Sequence, residues 1–414
     1  MTASLSAPTG RSAWLESWLR ELPAPSGPLA AVQERGRQAL AQQPVPSSRL
    51  EEWRFTDLSL LQELPLAPAA PAAAPLGTGL DSEVLRLQLD GSSDPFAGVT
   101  LPAGLQVLSD AELAQGLGHT LAATGCQDHW PVELNHAVAS QVLALRLTSR
   151  SKLKLELHSA ASAGLMPLRL LLILEEKAEL ELSHRLEAQS TGLTSLLVEA
   201  HLARSASLQH NLVALGSVDA ALLGHLAIEQ EPESQVALTT VTAGWGLARL
   251  EPRLVQVDGQ ATSTLRGLQL VGGKQIADTH SHVHFAGPEG QLDQLHKAVA
   301  AGQGRSVFNG AVQVPRAAQR TNAAQLSRNL LLSDRARIDT KPELEIVADD
   351  VKCAHGATVS SLQTDELFYL QSRGIDADQA AGLLKRAFCE EVLRELPAVA
   401  RGWCPLEQWQ LEQA

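Results

Sequence analysis

Short runs of alternating apolar and polar residues follow one another from about residue 141 to residue 350 of this 414-residue chain. Examples are VLALRL at 142–147, KLKLELH at 152–158, VALTTV at 236–241 and LVQVDG at 254–259. This alternation is typical of strands with one buried face, and the Gly, Ser, Asp and Glu residues between the runs are common in turns. The pattern predicts an all-β sandwich, barrel or solenoid. No internal repeat of fixed length chooses among these three architectures.

The flanks of this segment have different patterns. RSAWLESWLREL at 11–22 places its Trp and Leu residues on one helical face, and a second helix is expected at about 28–42. Four prolines in an alanine background at 64–79 indicate a semi-rigid linker. The predicted organisation is an N-terminal helical region (1–63), a Pro/Ala linker (64–79), a mixed α/β segment (80–140), a β core (141–360) and a C-terminal helical domain (361–414).

Composition excludes several classes of partner. The formal charge of −13 and the pI near 5.5 argue against nucleic acid or an anionic membrane as the main partner. No apolar stretch reaches the roughly 18 residues that a membrane-spanning helix needs. The four cysteines show no CxxC spacing, which fits a reducing cytoplasm. GQGRS at 302–306 lacks the ending of a phosphate-binding loop, so we expect no ATP binding by that route.

A candidate ligand pair lies near the end of the β segment, in the stretch Cys353-Ala354-His355-Gly356. Side chains two residues apart on a strand point to the same side, so the thiol and the imidazole are expected to face outward together. Both groups are ligands for iron-sulfur clusters or zinc, but two ligands do not complete a coordination sphere. A metal or cluster held by Cys353 and His355 would need further ligands from another surface, such as a second chain. The alternative is a buried structural Cys beside a turn His.

A second set of candidate ligands is formed by His280, His282 and His284, which alternate along one predicted strand and so share a face. Three imidazoles on one side of a strand are a possible zinc or iron site. They support an alternative hypothesis, a metal-dependent β-solenoid enzyme. No accompanying groove of carboxylates or basic groups is evident in the strand pattern.

Several long blocks in this chain resemble the SufB/SufD family of the Suf iron-sulfur cluster assembly machinery. The blocks are EEWRFTDL at 51–58, GRSVFNG at 304–310, AAQRTNAAQLSRNLLLSDRARIDTKPELEI at 317–346, DDVKCAHGAT at 349–358 and ELFYLQSRGI at 366–375. The motifs at Phe308-Asn309-Gly310 and at Lys352 to Gly356 are similar to the SufD type within the family. Ala354 departs from the Ser that is frequent at its position.

The resemblance implies a mainly β fold, a right-handed parallel β-helix core flanked by N-terminal and C-terminal helical regions. A solenoid has two open ends that need to be covered, and we expect the helical flanks to cap them. It implies a cytoplasmic, non-enzymatic scaffold subunit that pairs with SufB through the β-helix. The ATPase SufC would dock on the C-terminal helices at about 365–396 and would bind the ATP. His355, with Cys353 as a supporting thiol, would contribute to a transient iron-sulfur cluster shared with SufB. Alternatives are a homodimer when SufB is absent, a SufB-type scaffold, and a pairing module without a ligand.

Overall fold

The computed structural model describes residues 13–69, 79–81, 83–404 and 406. The α-helices are α1 Ala13–Glu21, α2 Ala30–Gln42, α3 Asp110–Gly116, α4 His119–Ala123, α5 Trp130–Val138, α6 Thr364–Ser372, α7 Ala377–Leu393 and α8 Ala398–Gly402. Short 3-10 helices span Gly27–Leu29, Glu51–Trp53 and Ser59–Gln62. None of the helices in these ranges is long and apolar enough to cross a membrane.

Strands account for most of the remaining chain. They are β1 Gly79–Asp81, β2 Val84–Gln88, β3 Leu105–Val107, β4 Leu143–Leu147, β5 Lys152–Ala161, β6 Gly164–Leu174, β7 Glu179–Ala188, β8 Gly192–Leu202, β9 Ser207–Leu215, β10 Ala220–Gln230, β11 Gln235–Ala243, β12 Leu247–Gln256, β13 Thr262–Val271, β14 Ile276–Phe285, β15 Gln291–Ala300, β16 Arg305–Val314, β17 Asn322–Leu331, β18 Arg337–Ile346 and β19 Lys352–Ser360.

The strands form two long sheets that the chain visits alternately. Sheet A contains nine strands in the order β3, β4, β6 and then every even strand to β18. Sheet B contains ten strands in the order β1, β2, β5 and then every odd strand to β19. From β4 onward each strand pairs in parallel with the next strand of its sheet, which gives about eight coils. The predicted parallel β-helix with helical flanks is therefore confirmed.

From the β4–β5 turn to the β16–β17 turn, each coil passes from sheet A to sheet B through a residue with left-handed backbone conformation that is not glycine, whereas the last turn, from β18 to β19, has none. These residues are Arg150, Lys177, Ser205, Glu233, Gln260, Glu289 and Arg320, with φ between 55° and 65°. The conformation is uncommon for residues with a Cβ atom. Its recurrence at the same corner indicates that the tight turn and its backbone hydrogen bonds to the next coil outweigh the local cost.

The interior of the solenoid contains the main hydrophobic core. Alternate residues of both sheets point inward, and leucines from successive coils lie in register with one another, among them Leu153, Leu180 and Leu208. The alternation that predicted the strands therefore has its expected physical origin in burial between the two sheets.

The helical flanks pack on opposite outer faces. Trp18, Trp53 and Trp130 of the N-terminal part pack against the outer face of sheet A. Residues of α7 and α8 pack against the outer face of sheet B. The expectation that the helical flanks cap the ends of the solenoid is wrong for the described helices of both flanks, because their apolar residues pack along the sides of sheets A and B. Among the described residues, no helix or strand covers the end formed by β18 and β19.

Part of the predicted linker lies against the solenoid. Leu64 is buried, the Ala69 backbone N–H donates to the Leu165 oxygen at 2.8 Å, and the Leu165 N–H donates to the Ala67 oxygen at 2.8 Å. Residues 70–78 of the predicted linker lie outside the described residues.

Candidate functional site

The two ends of the solenoid differ. At the N-terminal end, the three-residue strands β1 and β3 close the sheets by antiparallel pairing. At the other end, β18 pairs with β16 and β19 pairs with β17, and within the described residues no strand covers their outer edges. Ile346, Val347 and Val359 are exposed at this end. We call the last coil, residues 337–360, the open end. Unpaired strand edges with exposed apolar residues are sites at which another chain can add.

Cys353 lies on β19 at the inner rim of the open end. It is the register partner of Ala323, a residue of the interior core, and its own side chain packs on that core. Burial raises the pKa of the Cys353 thiol, and a hydrogen bond from the Ala323 backbone offsets part of this effect. The thiol is therefore not activated in the isolated chain, and its use as a ligand requires loss of the proton.

His355 lies two residues further along β19 and is exposed. Its register partner is Gln325, a buried residue that points into the solenoid. The Gln325 amide donates to Gln294 Oε1 at 2.9 Å, and the Gln294 amide donates to the Ser281 hydroxyl at 2.7 Å. His355 thus ends a row of polar side chains that runs through the last coils. Cys353 and His355 share one side of β19, but that side faces the interior of the solenoid. The expectation that both groups face outward is therefore wrong for the Cys353 thiol, which packs on the core, whereas the His355 side chain is exposed.

The histidines of β14 share the outer face of sheet A, as the alternation predicted, but each has its own surroundings. His280 Nε2 lies 3.0 Å from Asp278 Oδ1, and His284 Nδ1 lies 3.2 Å from Gln313 Oε1. Burial lowers the pKa of His282 to about 4. Their ligand atoms do not form a group of three within 4.8 Å. The strand therefore presents His280, His282 and His284 side by side without bringing them together at one point.

Two other groups of ligand atoms do converge within the described part of the chain, on the same outer face. One consists of His119, His201 and Glu229, and the other of His129, His225 and Glu251. The sequence analysis missed both groups, because each combines a residue at the start of α4 or just before α5 with residues of two strands. Spacing along the sequence does not reveal these groups, because their strand residues become neighbours only through the register between successive coils.

The second group has a defined electrostatic environment. Burial lowers the pKa of His225 below its ordinary value. Burial alone would raise the pKa of Glu251, but His225 and Arg249 hold it well below its ordinary value. Arg249 Nε donates to Glu251 Oε1 at 2.8 Å, while the other oxygen faces the histidines.

The C-terminal helices carry a further exposed apolar surface. No residue of α6 is buried, and Phe368 and Tyr369 are 70% and 58% exposed. Leu383 of α7 is also exposed, whereas Cys389, Val392 and Leu393 of the same helix pack on sheet B. We call Phe368, Tyr369 and Leu383 the helical patch. Its aromatic members are of the kind that bury on binding a partner.

Comparison with known proteins identifies the family. Residues 157–388 match the family model described as SUF system FeS cluster assembly, SufBD core domain. An iron-sulfur cluster assembly SufBD family protein of Synechocystis is 32% identical over 85% of this chain and 84% of its own length. The chloroplastic protein ABCI7 of Arabidopsis thaliana is 29% identical over 92% and 86% of the two chains. The iron-sulfur cluster assembly protein SufD of Escherichia coli is 28% identical over 87% of each. The chain therefore belongs to the SufBD family of iron-sulfur cluster assembly proteins.

Proposed function

We propose that this chain is a non-enzymatic scaffold subunit of a cytoplasmic SufBCD-type complex, and that it is of the SufD type. The observation that carries the proposal is the position of His355, exposed at the rim of β18 and β19, whose outer edges are unpaired in the described part of the chain. A single imidazole with one neighbouring thiol cannot complete a cluster site. A second subunit placed against the open end would supply the remaining ligands.

Pairing with SufB is proposed to use the open end. The outer edges of β18 and β19 offer backbone N–H and C=O groups for strand addition. Ile346, Val347 and Val359 would lose water on contact with the partner. The same surface would allow pairing of two copies of this chain when SufB is absent, because strand edges have little sequence specificity.

SufC is proposed to dock on the helical patch of α6 and α7. These helices are fixed to the solenoid by Lys297, whose ammonium donates to Glu391 Oε2 at 2.5 Å and to the Phe388 backbone oxygen at 2.7 Å. If an ATPase moved these helices, the contacts of Lys297 would transmit the movement to β15 of sheet B, and through β17 to β19 at the open end. ATP would be bound by SufC alone.

The relatives support the SufD type. The Escherichia coli relative that covers most of this chain is named SufD. The location in a reducing compartment is supported by the four cysteines, which are all free.

The decisive experiment is anaerobic cluster reconstitution of the complex formed with SufB and SufC. We expect His355→Ala to leave the complex intact and to reduce the visible absorption and iron content of the cluster strongly. Cys353→Ser is expected to have a smaller effect, because its thiol is partly buried and has a raised pKa. Lys352→Ala, an exposed residue of the same strand, is the matched control.

The proposal fails if His355→Ala and Lys352→Ala assemble clusters at the wild-type rate in an intact complex. That result would instead support a purely structural pairing module. If the wild-type chain does not form a complex with SufB, the proposed pairing with SufB is wrong.

A further inference from the structure

Three potential metal ligands meet on the outer face of sheet A, far along the solenoid from the open end. His129 Nδ1 lies 3.2 Å from His225 Nε2, and Glu251 Oε2 lies 3.3 Å and 3.1 Å from these two nitrogens. Ligands of a tetrahedral ion with bonds of about 2.05 Å are separated by about 3.3 Å. The three atoms are therefore already spaced as three corners of a tetrahedral site.

Hydrogen bonds among the two nitrogens and the carboxylate oxygen cannot satisfy all three atoms at once. A neutral imidazole has one N–H and one lone pair, and a carboxylate only accepts. If both nitrogens donate to Glu251, two N–H groups face each other across 3.2 Å. If one nitrogen donates to the other, the accepting nitrogen has no proton to offer Glu251, and its lone pair lies close to the negatively charged carboxylate oxygen. A metal ion removes the conflict, because it accepts a lone pair from each of the three atoms.

The ligands are held in place by the surrounding structure. His225 and Glu251 are cross-strand register partners on β10 and β12, and both are buried. Arg249 donates to the second oxygen of Glu251 at 2.8 Å, which is the orienting contact that metal-bound carboxylates commonly have. His129 is the residue immediately before α5, and its backbone oxygen accepts from the N–H groups of Val132 and Glu133.

A fourth position is accessible to water. The His129 side chain is 23% exposed. Glu251 and Arg253 also line an open pocket of 360 Å³ that extends to His280. Arg253 Nε lies 3.7 Å from Glu251 Oε2, so two arginines compete for this carboxylate. That competition disfavours hard ions that depend on carboxylate charge, such as Ca²⁺ and Mg²⁺, and favours an ion that binds imidazole well.

We propose that His129, His225 and Glu251 bind a borderline divalent metal ion of the Zn²⁺ class, with water as the fourth ligand. The bound ion would link the start of α5 to β10 and β12, and would thereby stabilise the packing of α5 on sheet A. This site is independent of the cluster site proposed at the open end.

The test uses the full-length chain carrying Cys353→Ser and His355→Ala, without SufB or SufC, so that the cluster site does not contribute. The metal-stripped protein is titrated with Co²⁺, followed by its visible absorption, and with Zn²⁺ in competition with a chromophoric chelator. We expect one equivalent of ion, the absorption of four-coordinate Co²⁺ and a higher melting temperature with Zn²⁺. His129→Asn, which places a favourable residue at the N-cap of α5, and Glu251→Gln are expected to weaken binding about 10-fold or more.

His119→Asn is the matched control, because His119 belongs to the other converging group on the same face. Circular dichroism verifies that each variant is folded. Absence of four-coordinate Co²⁺ absorption in the parent protein overturns the proposal, whether or not the variants fold. Equal affinity in folded His129→Asn and parent protein, or loss of the ion only in His119→Asn, also overturns it. None of these results alters the outcome expected for His355 in cluster reconstitution.

Discussion

The guanidinium carbon of Arg249 lies 3.8 Å from the centroid of the Trp53 ring, although the two residues are far apart in the sequence. The same guanidinium donates to the Glu52 backbone oxygen at 2.8 Å and to Asp278 Oδ2 at 2.7 Å. Its side chain is almost completely buried. Arg249 therefore joins the EEWRFTDL segment to two strands of sheet A.

Replacement of Arg249 is expected to destabilise the fold. Arg249→Met removes the cation but leaves Glu251 and Asp278 buried, and breaking a buried ion pair in this way costs about 3–5 kcal/mol. Urea unfolding followed by circular dichroism measures the loss. Arg305→Met is the control, because Arg305 also stacks on an aromatic ring, that of Phe55, but is partly exposed. Equal losses in the two variants would contradict the expectation that the burial of Arg249 and its two carboxylates causes the larger loss of stability.

Charges introduced at the open end are expected to weaken pairing with SufB. Val359→Asp alters an exposed residue, so the stability of the isolated chain should change by no more than about 0.5 kcal/mol. The affinity for SufB should fall about 10-fold or more, which corresponds to about 1.4 kcal/mol. Titration calorimetry measures the affinity. Val218→Asp, at an exposed valine between β9 and β10, should bind SufB normally. Normal binding by Val359→Asp would exclude this end as the interface.

Truncation of the helical patch is expected to reduce SufC binding. Phe368→Ala and Tyr369→Ala each remove an exposed aromatic ring from α6, a helix without buried residues, so folding should be unaffected. We expect each change to cost more than about 1 kcal/mol of SufC affinity, as is usual for aromatic residues at the centre of an interface. Leu50→Ala removes an exposed apolar residue at another place and is the control in the same binding measurement. Unchanged affinity in both aromatic variants would place SufC elsewhere.

The solenoid is expected to lose stability in acid. Burial lowers the pKa of His296 to about 3, so the folded chain keeps this ring neutral while the unfolded chain protonates it near pH 6.5. The lowered pKa of His296 therefore contributes to the free energy of unfolding above pH 6.5. This contribution is lost as the pH falls from 6.5 toward 3, by up to about 1.4 kcal/mol per pH unit. His184 and His210 act in the same direction, with pKa values of about 3 and about 4.

The contribution of one ring is measured with His296→Leu, which lies beside the Phe308 ring. The free energy of unfolding of this variant should depend less steeply on pH than that of the wild type between pH 6.5 and 4. His119→Leu, at an exposed histidine, controls for the removal of one imidazole. A slope equal to that of the wild type in His296→Leu would show that its burial has no effect on acid stability.

The sequence predicted those features that depend on neighbouring residues. Alternation identified the strands, and the spacing of Cys353 and His355 placed both on one side of β19. Features that depend on the lengths of the coils were not predictable. His225 and Glu251 meet because two successive coils bring β10 and β12 into register, and coil length varies along the chain. The left-handed corner residues, such as Lys177 and Ser205, were equally hidden, because their residue types do not favour that conformation.

The two ends of the solenoid differ, and this difference would affect how many copies could stack end to end. A rod with two bare termini could add subunits at both and grow into a filament. Here β1 and β3 finish the first terminus with brief antiparallel strands, and short strands of this kind are poor templates for further growth. If two rods pair through β18 and β19 as proposed, stacking would therefore stop at two, and the product would be a discrete particle instead of a fibre.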